Sequence, residues 1–197
     1  YGLMTTRQHD WERRYSEGRT GWDRGAVSPA LAHWLAAGPL PRGRVLVPGC
    51  GHGHEVAALV RAGCQVTAVD IAAQPVMRLR GQLAALGLQA HVVHADLLQW
   101  QPAEPFDAVY EQTCLCAIDP AHWAAYERRL ADWLVPGGHL LALFMQTGRE
   151  GGPPFDCPVP SMRSLFAATR WQWSSQPALD VPHPTGLAER GYVLTRR

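Results

Sequence analysis

Lysine is missing from the 197-residue chain, in which all 18 basic side chains are arginine. Without lysine the chain cannot form a Schiff base or supply the lysine of a P-loop. No apolar run reaches the roughly 18 to 20 residues that span a bilayer, and the polar residues 1–10 lack the apolar core of a signal peptide. The formal net charge of +1 provides no basic field for a phosphate backbone, so neither a membrane nor a nucleic acid is an expected partner.

Cysteine is sparse and irregularly spaced, with five residues at positions 50, 64, 114, 116 and 157. An odd number without a signal peptide predicts reduced thiols in the cytoplasm. Cys114 and Cys116 have no second pair of ligands, so we predict no metal site and interpret both as small buried hydrophobic side chains. A composition of 47% hydrophobic and 18% charged residues predicts one globular domain over residues 1–197, which we expect to be a monomer.

Strand-like segments alternate with helical ones along the chain. Strands are expected at residues 44–48, 65–69, 90–94, 106–110, 139–145, 170–174 and 191–195. Helices are expected at residues 10–17, from an N-cap at Ser28 with Pro29 behind it to about residue 37, and from about residue 119 to 134. This alternation predicts an α/β fold: a single doubly wound, mostly parallel, seven-stranded Rossmann-like sheet with helices on both faces, closed by a hairpin of the last two strands. The segment 147–160 is longer than usual connections, and such loops are usually functional.

A glycine turn, Gly49-x-Gly51-x-Gly53, separates the first strand from a helical segment. Glycine lets the backbone approach a ligand closely, and the helix N-terminus behind it favours an anionic group. Nicotinamide, flavin and S-adenosylmethionine (SAM) sites all use such turns. The bulky His54 in the third place after Gly51 disfavours the dinucleotide form of the motif, G-x-G-x-x-G/A.

Two acidic residues, Asp70 and Asp96, close the second and third predicted strands. Asp70 stands beside the glycine turn, where a carboxylate can accept hydrogen bonds from both hydroxyls of a ribose; the alternative is a helix cap. In a SAM site Asp96 would face adenine, whose exocyclic amine offers donors; the alternative is a turn-forming aspartate. A nicotinamide enzyme has no general need of the second acid, so the pair favours SAM.

Five motifs occur in a specific order across most of the chain. They are Trp11-Glu12-Arg13-Arg14-Tyr15, Gly21-Trp22-Asp23, Val45-Leu46-Val47-Pro48-Gly49-Cys50-Gly51-His52-Gly53-His54-Glu55, Phe106-Asp107 leading to Cys116-Ala117-Ile118-Asp119-Pro120, and Gly152-Pro153-Pro154-Phe155. In this combination the chain resembles the thiopurine S-methyltransferase superfamily, and most of all its branch of plant and bacterial thiol and halide methyltransferases. The resemblance implies a SAM-dependent methyltransferase.

The resemblance also implies roles for individual residues. It makes residues 1–27 a lid segment that closes over the cofactor through its aromatic side chains. Glu111, facing the methionine end and the substrate, would be the catalytic residue. The implied cofactor contacts are Trp11, Tyr15, Trp22, Gly49, Gly51, Asp70, Asp96, Leu97 and Glu111. The implied substrate contacts are Trp22, Gln112, Pro154 and Phe155.

Methyl transfer from a sulfonium is an in-line displacement, for which the protein positions the nucleophile and strips its water. A thiolate, hydrosulfide or halide needs no base, whereas an alcohol or amine does. The sequence shows no obvious base: Glu111 is expected to stay charged near a sulfonium, and His183 between two prolines is interpreted as an exposed loop histidine. The expected reaction is therefore methylation of a small soft nucleophile, thiopurine-like sulfur included.

Other functions remain open from the sequence. The acceptor could be a selenium or tellurium oxyanion, or an oxygen or nitrogen nucleophile. A nicotinamide-dependent oxidoreductase and a non-catalytic SAM-binding module are further alternatives. Base methylation of nucleic acid is disfavoured, because Tyr110-Glu111-Gln112-Thr113 stands where those enzymes carry Asn/Asp-Pro-Pro-aromatic.

Overall fold

The computed structural model describes residues 4–38, 40 and 43–197. The helices are α1 (Thr6–Ser16), α2 (Pro29–Ala37), α3 (His54–Arg61), α4 (Ala73–Ala85), α5 (Trp123–Trp133) and α6 (Val159–Leu165). The strands are β1 (Arg44–Pro48), β2 (Gln65–Asp70), β3 (His91–His94), β4 (Phe106–Gln112), β5 (Leu134–Gln146), β6 (Trp171–Trp173), β7 (Leu179–Pro182) and β8 (Ala188–Arg196). Helices connect β1 to β2, β2 to β3 and β4 to β5, which confirms the predicted α/β class.

The sheet follows the order β3-β2-β1-β4-β5-β8-β6, with β7 also paired to β8. The first five strands of that order run parallel, whereas β8 runs antiparallel to β5. Strands β6 and β7 pair with different stretches of β8. The sheet therefore has eight strands, and the predicted count of seven is wrong because β7 was not foreseen.

Two of the helices begin at other residues than the sequence predicts. Helix α1 begins four residues before the predicted Asp10, because the Thr5 side chain accepts a hydrogen bond from Gln8 N (3.2 Å) and caps it. The cap of α2 by Ser28, which accepts from Ala30 N (3.2 Å), is as predicted. The helix expected over residues 119–134 is divided, because a 3₁₀ turn at Pro120–His122 precedes α5.

Apolar side chains cover both faces of the sheet. One cluster joins the sheet to α5 and α6 and includes the buried Tyr126, Trp133 and Phe166. The other joins it to α2, α3 and α4 and includes Trp34, Leu59 and Leu79. Burial on both faces accounts for the nearly continuous apolar runs of the central strands. None of the helices in the described ranges has the length and apolar character needed to cross a bilayer.

Candidate active site

A cavity of about 310 Å³ lies at the carboxyl ends of the parallel strands. Gly49 follows β1, Asp70 ends β2, Asp96 follows β3 and Thr113 follows β4, and each of them lines it. Residues 4–27, called here the N-terminal segment, supply another wall through α1 and the turn after it. Ligands of open α/β sheets bind at this edge, and the volume suits a small-molecule site.

The glycine turn adopts a backbone that other residues rarely tolerate. Gly49, Gly51 and Gly53 have φ angles of +58°, +52° and +72°. A Cβ atom on Gly49 would come within 2.8 Å of Cys114 Sγ, and one on Gly53 within 2.6 Å of Leu79. The turn thus packs tightly against β4's loop and α4, which keeps Gly49 on the cavity wall.

Asp70 holds the glycine turn in place. Its Oδ2 accepts a hydrogen bond from Gly51 N and its Oδ1 accepts one from Ala72 N, both at 2.9 Å. The side chain is buried but lines the cavity. Burial raises its pKa, and the two backbone hydrogen bonds oppose that rise. Each carboxylate oxygen can accept more than one bond, so Asp70 retains capacity for a ligand hydroxyl.

Asp96 and Leu97 line the same cavity beyond Asp70. Asp96 Oδ1 accepts a hydrogen bond from Leu98 N (2.9 Å) and contacts the guanidinium of Arg7 from α1. Sequence reasoning did not select Arg7, which lies 89 positions away in the chain. This ion pair joins the N-terminal segment to the sheet at the place where the sequence predicts an adenine contact.

Three aromatic rings of the N-terminal segment meet at the cavity. Trp22 lies edge-on to Trp11 and to Tyr15, with ring centroids 5.6 Å apart in both pairs, and all three residues line the cavity. Tyr15 is buried, and that burial raises the pKa of its hydroxyl. The family resemblance implies that all three rings contact the cofactor, and in the fold they lie next to one another.

A cluster of Asp23, His52 and His54 ties the N-terminal segment to the glycine turn. Asp23 Oδ2 lies 2.5 Å from His52 Nδ1, and Oδ1 lies 2.7 Å from His54 Nε2. Burial alone would raise the pKa of Asp23, but hydrogen bonds from Gly25 N and both imidazoles together lower it to about 2. The ionised carboxylate can only accept, so both ring nitrogens donate to it. The sequence interpretation did not select this cluster.

Four of the predicted contacts do not form the cavity wall. Gly51 N donates to Asp70 Oδ2, and Phe155 N donates to Cys116 O (2.7 Å) behind the wall. The Gln112 side chain accepts from Tyr110 Oη (2.9 Å). Glu111 is buried, and its Oε1 accepts from Leu115 N (2.6 Å) and Tyr126 Oη (3.2 Å).

Among the described residues, Glu111 is buried away from any partner of opposite charge. Burial raises the pKa of its carboxyl to about 8, in spite of the bonds from Leu115 N and Tyr126 Oη. Without a sulfonium beside it the carboxyl is therefore mostly protonated at neutral pH, and its charge beside bound SAM stays a prediction. The position of Glu111 below the 3₁₀ turn Leu115–Ala117 makes it a support for the cavity wall.

One wall of the cavity is apolar. It consists of Cys114, Cys116, Ala117, Ile118, Met145, Pro153 and Pro154. Cys114 and Cys116 are buried, as predicted, and they also line the cavity. Thr113 at the start of this stretch has a φ of +54°, the left-handed region, which a β-branched residue rarely adopts and which is typical of functional sites.

His183 corrects the sequence interpretation. The sequence suggests an exposed loop histidine, but the residue is only 5% exposed and lines the cavity together with Thr185. Burial, together with the nearby Arg24, lowers the pKa of His183 to about 4, so its ring is neutral at pH 7. No local pattern distinguishes this histidine; the hairpin between β7 and β8 carries it to the cavity.

The residues of the cavity fit SAM. Asp70 and Asp96 are acceptors for ribose hydroxyls and for an exocyclic amine. The rings of Trp11, Tyr15 and Trp22 offer π faces and edges to a sulfonium. A Cβ on Gly51 would meet only Tyr15 Oη (3.1 Å) and Trp22 Nε1 (3.9 Å), so the turn opens towards these rings.

Sequence comparison places the chain among methyltransferases. The thiopurine S-methyltransferase (TPMT) family profile matches residues 6–193. Probable thiol methyltransferase 2 of Arabidopsis thaliana is 36% identical over 152 residues, which are 76% of this chain and 67% of that protein. Thiocyanate methyltransferase 1 of Brassica oleracea is 32% identical over 165 residues (82% and 73%). Thiopurine S-methyltransferase of Pseudomonas putida (strain GB-1) is 30% identical over 183 residues (82% of each).

Solved structures share the fold. One, reported for the conversion of a disulfide bond into a thioacetal group during echinomycin biosynthesis, has a TM-score of 0.81 at 22% identity and covers 96% of this chain and 92% of that chain. Another is the 1,6-didemethyltoxoflavin-N1-methyltransferase of Burkholderia thailandensis with bound S-adenosylhomocysteine. It has a TM-score of 0.78 at 23% identity and covers 96% and 86%. With the family match over nearly the whole length, these findings establish that the chain belongs to the thiopurine S-methyltransferase family and is a SAM-dependent methyltransferase.

Proposed function

We propose that the protein transfers the methyl group of SAM to a small soft nucleophile: a thiol, hydrosulfide, a halide or a thiopurine-like sulfur. When bound, SAM supplies a methyl group that is already activated by the sulfonium. The protein then has to orient the acceptor and remove its water. Relatives named thiol, thiocyanate and thiopurine methyltransferases support this choice of acceptor.

The observation that carries the proposal is the chemistry of the apolar wall of the cavity. Thiols, a thioether and proline rings dominate it, namely those of Cys114, Cys116, Met145, Pro153 and Pro154. Such a wall cannot solvate a small hard nucleophile, whereas a polarisable sulfur or iodide loses less on leaving water. A selenium or tellurium oxyanion is the second candidate, supported by Arg14 and Arg19 on the cavity wall.

We propose the following contacts for the cofactor. Asp70 accepts from the ribose hydroxyls, and Asp96 with Leu97 contacts adenine. Gly49 lies against the methionine part, where Trp11, Tyr15 and Trp22 surround the sulfonium. Pro154 and Trp22 contact the acceptor. Glu111 and Phe155 hold the backbone of the apolar wall through their bonds to Leu115 N and Cys116 O, and Gly51 orients Asp70. Gln112 bonds to the hydroxyl of Tyr110 on the same strand.

The N-terminal segment is proposed to act as a lid. Only Tyr15 of α1 is buried, and the segment is tied to the rest of the chain by polar contacts at Arg7, Glu12, Asp23 and Arg24. Polar ties of this kind open at lower cost than an apolar interface. The aromatic rings would then close over the cofactor after it binds.

Three further features belong to the proposal. Residues 1–197 would form one domain that acts as a monomer on small molecules, without a nucleic-acid or membrane partner. A cytoplasmic location is supported by the buried thiols of Cys50, Cys114, Cys116 and Cys157. We also propose that no metal takes part in methyl transfer, and that Asp23, His52 and His54 form a hydrogen-bonded tie.

The experiment that tests the function measures release of S-adenosylhomocysteine from SAM by the purified protein, one acceptor at a time. The panel contains alkyl thiols, hydrosulfide, iodide, selenite and a thiopurine, with an alcohol and an amine as controls. Turnover restricted to thiols, hydrosulfide, iodide or the thiopurine supports the proposal. Turnover with the alcohol or the amine at comparable rates refutes it.

A further inference from the structure

Three side chains that could bind a metal ion meet between the N-terminal segment and the glycine turn. Asp23 Oδ2 lies 2.5 Å from His52 Nδ1, and Asp23 Oδ1 lies 2.7 Å from His54 Nε2. One ligand atom from each residue lies within 4.8 Å of the other two. Two imidazoles and a carboxylate are among the ligand sets that bind zinc in proteins. The sequence expectation of no metal site rests on cysteine spacing, whereas this set contains no cysteine and joins residues 29 positions apart.

Local structure orients each of the three side chains. Asp23 Oδ1 accepts a hydrogen bond from Gly25 N (2.9 Å), and bonds of this kind orient carboxylates that bind metals. His52 belongs to the glycine turn, and its ring lies edge-on to that of Tyr15, with centroids 5.7 Å apart. His54 is the first residue of α3. The three side chains therefore converge without an ion.

The cluster is open to solvent and separate from the cavity. The side chains of Asp23, His52 and His54 are 21%, 13% and 28% exposed, so an ion can reach them. None of them belongs to the described residues that line the cavity. An ion here would lie beside the cofactor site and outside the space in which the methyl group moves. This position agrees with the proposal that no metal takes part in methyl transfer.

Zinc binding would replace the two hydrogen bonds of the cluster. Zinc–nitrogen and zinc–oxygen distances of about 2.0–2.2 Å place tetrahedral ligands roughly 3.3 Å apart, so the ligand atoms have to separate by less than about 1 Å. Each imidazole would carry its proton on the other ring nitrogen and turn a lone pair to the ion. Three protein ligands leave the fourth position for water.

We propose that Asp23, His52 and His54 bind a zinc ion, which holds the N-terminal segment against the glycine turn. The ion joins one ligand from the segment to two ligands from the turn and α3. Without the ion, the same side chains form the hydrogen-bonded tie. An ion that binds only the closed arrangement stabilises that arrangement. The site itself follows from the geometry, whereas its effect on the lid rests on the proposed function.

Equilibrium dialysis with zinc chloride tests the site, on untagged protein kept reduced by a non-thiol reductant. We expect one zinc ion per wild-type chain. Affinity should fall by more than about 10-fold in each of Asp23→Asn, His52→Gln and His54→Gln, since even outer-shell partners alter metal affinity by about 10- to 100-fold. His33→Gln is the matched control: it removes an exposed histidine of α2 and should bind zinc like the wild type. Far-UV circular dichroism checks that all four variants are folded.

Cobalt in place of zinc identifies the ligand atoms. The absorption spectrum should show nitrogen and oxygen ligands, without the charge-transfer band of a bound thiolate. This measurement needs no variant, and it separates the site from metal binding at the cysteines.

Two further measurements test the effect on the lid. Zinc should increase hydrogen-exchange protection of residues 20–25 in the N-terminal segment, with residues 123–133 of α5 as the reference. Zinc should also raise the affinity for S-adenosylhomocysteine by about 5-fold or more, the usual lower limit of coupling between two sites. Both effects should disappear in Asp23→Asn.

Three results would overturn the site: no zinc binding by the wild type, wild-type zinc affinity in Asp23→Asn, His52→Gln and His54→Gln, or a thiolate band in the cobalt spectrum. Zinc that binds without changing either the protection of the segment or the affinity for S-adenosylhomocysteine would overturn its effect on the lid. Failure to methylate soft nucleophiles, with zinc still bound by these residues, would instead refute the proposed function.

Discussion

Asp70 connects the glycine turn to the proposed cofactor site, because one carboxylate serves both. Its two oxygens accept from Gly51 N and Ala72 N and lie at the cavity. We predict that Asp70→Asn lowers affinity for S-adenosylhomocysteine by about 10- to 100-fold, since an amide replaces one acceptor oxygen with a donor, and hydrogen bonds to charged groups contribute about 1.5–3 kcal/mol. Titration calorimetry measures this.

Asp132→Asn is the matched control for Asp70. Asp132 is exposed on α5 and lies outside the cavity wall, so its substitution should leave affinity unchanged. Wild-type affinity in Asp70→Asn would show that the carboxylate serves the turn alone. That result would remove Asp70 from the proposed cofactor contacts.

The raised pKa of Glu111 predicts that folding stability depends on pH. Its pKa is raised from 4.5 to about 8 in the folded protein. Between these values the folded state holds a proton that the unfolded state has lost, so stability falls as pH rises through this window, with a slope of at most about 1.4 kcal/mol per pH unit from one group. Glu111→Gln imitates the protonated carboxyl and should lose this contribution.

Urea unfolding at pH 5, 6.5 and 8 measures the effect. The wild type should lose stability relative to Glu111→Gln as the pH rises, because only the wild type must ionise a buried group or hold it protonated. Comparing the two proteins cancels the contributions of Glu189 and Asp70, whose pKa values are also raised. A difference that is the same at all three pH values would contradict a raised pKa at Glu111.

The sequence predicts which residues lie together at the cavity when those residues stand at the end of a predicted strand. Gly49, Asp70 and Asp96 each follow or end a parallel strand, so their convergence on one edge could be predicted from the alternation of elements. His183 could not be found in this way. Its burial depends on the packing of β7, β8 and the N-terminal segment, and no local spacing carries that information.

At the level of elements, the N-terminal segment is the part whose state we expect to change. We predict that S-adenosylhomocysteine increases hydrogen-exchange protection of residues 6–22, because the ligand would fill the space between α1 and the sheet and join its rings to the core. Asp23→Asn should reduce this gain, since the bonds from His52 and His54 would lose their charged acceptor.

Hydrogen exchange with mass spectrometry measures both effects. Residues 123–133 in α5 lie outside the cavity wall and serve as the internal reference. Equal protection of residues 6–22 with and without the ligand would show that the segment is already closed. A lid that orders on binding would then be ruled out.

The sequence does not predict strand β7, because its composition differs from that of a typical strand. Strand β7 ends in Pro182 and is followed by Pro184, so its sequence is typical of a loop. It is nonetheless a strand, because β8 is long enough for β6 and β7 to pair with separate stretches of it. The cap of α2 was predictable from Ser28 and Pro29 alone, since that signal is local.

At the level of the whole molecule, the residues of the candidate site lie along one edge of the sheet. The carboxyl ends of β1 to β5 carry residues of the cavity wall, and the β7–β8 hairpin brings His183 and Thr185 to the same cavity. The residues proposed to contact the cofactor can be predicted from the sequence, because they belong to motifs. The acceptor side depends on the assembled fold, so it could be described only with the structure.

The most direct test of the central claim is a single competition reaction. SAM labelled in its methyl group is supplied with equal concentrations of an alkyl thiol, iodide, an alcohol and an amine, and the labelled products are separated and counted. The account predicts that the label appears in methylated thiol and methyl iodide, with the alcohol and amine products at background. Label transferred mainly to the alcohol or the amine would contradict the claim that this cavity serves soft nucleophiles.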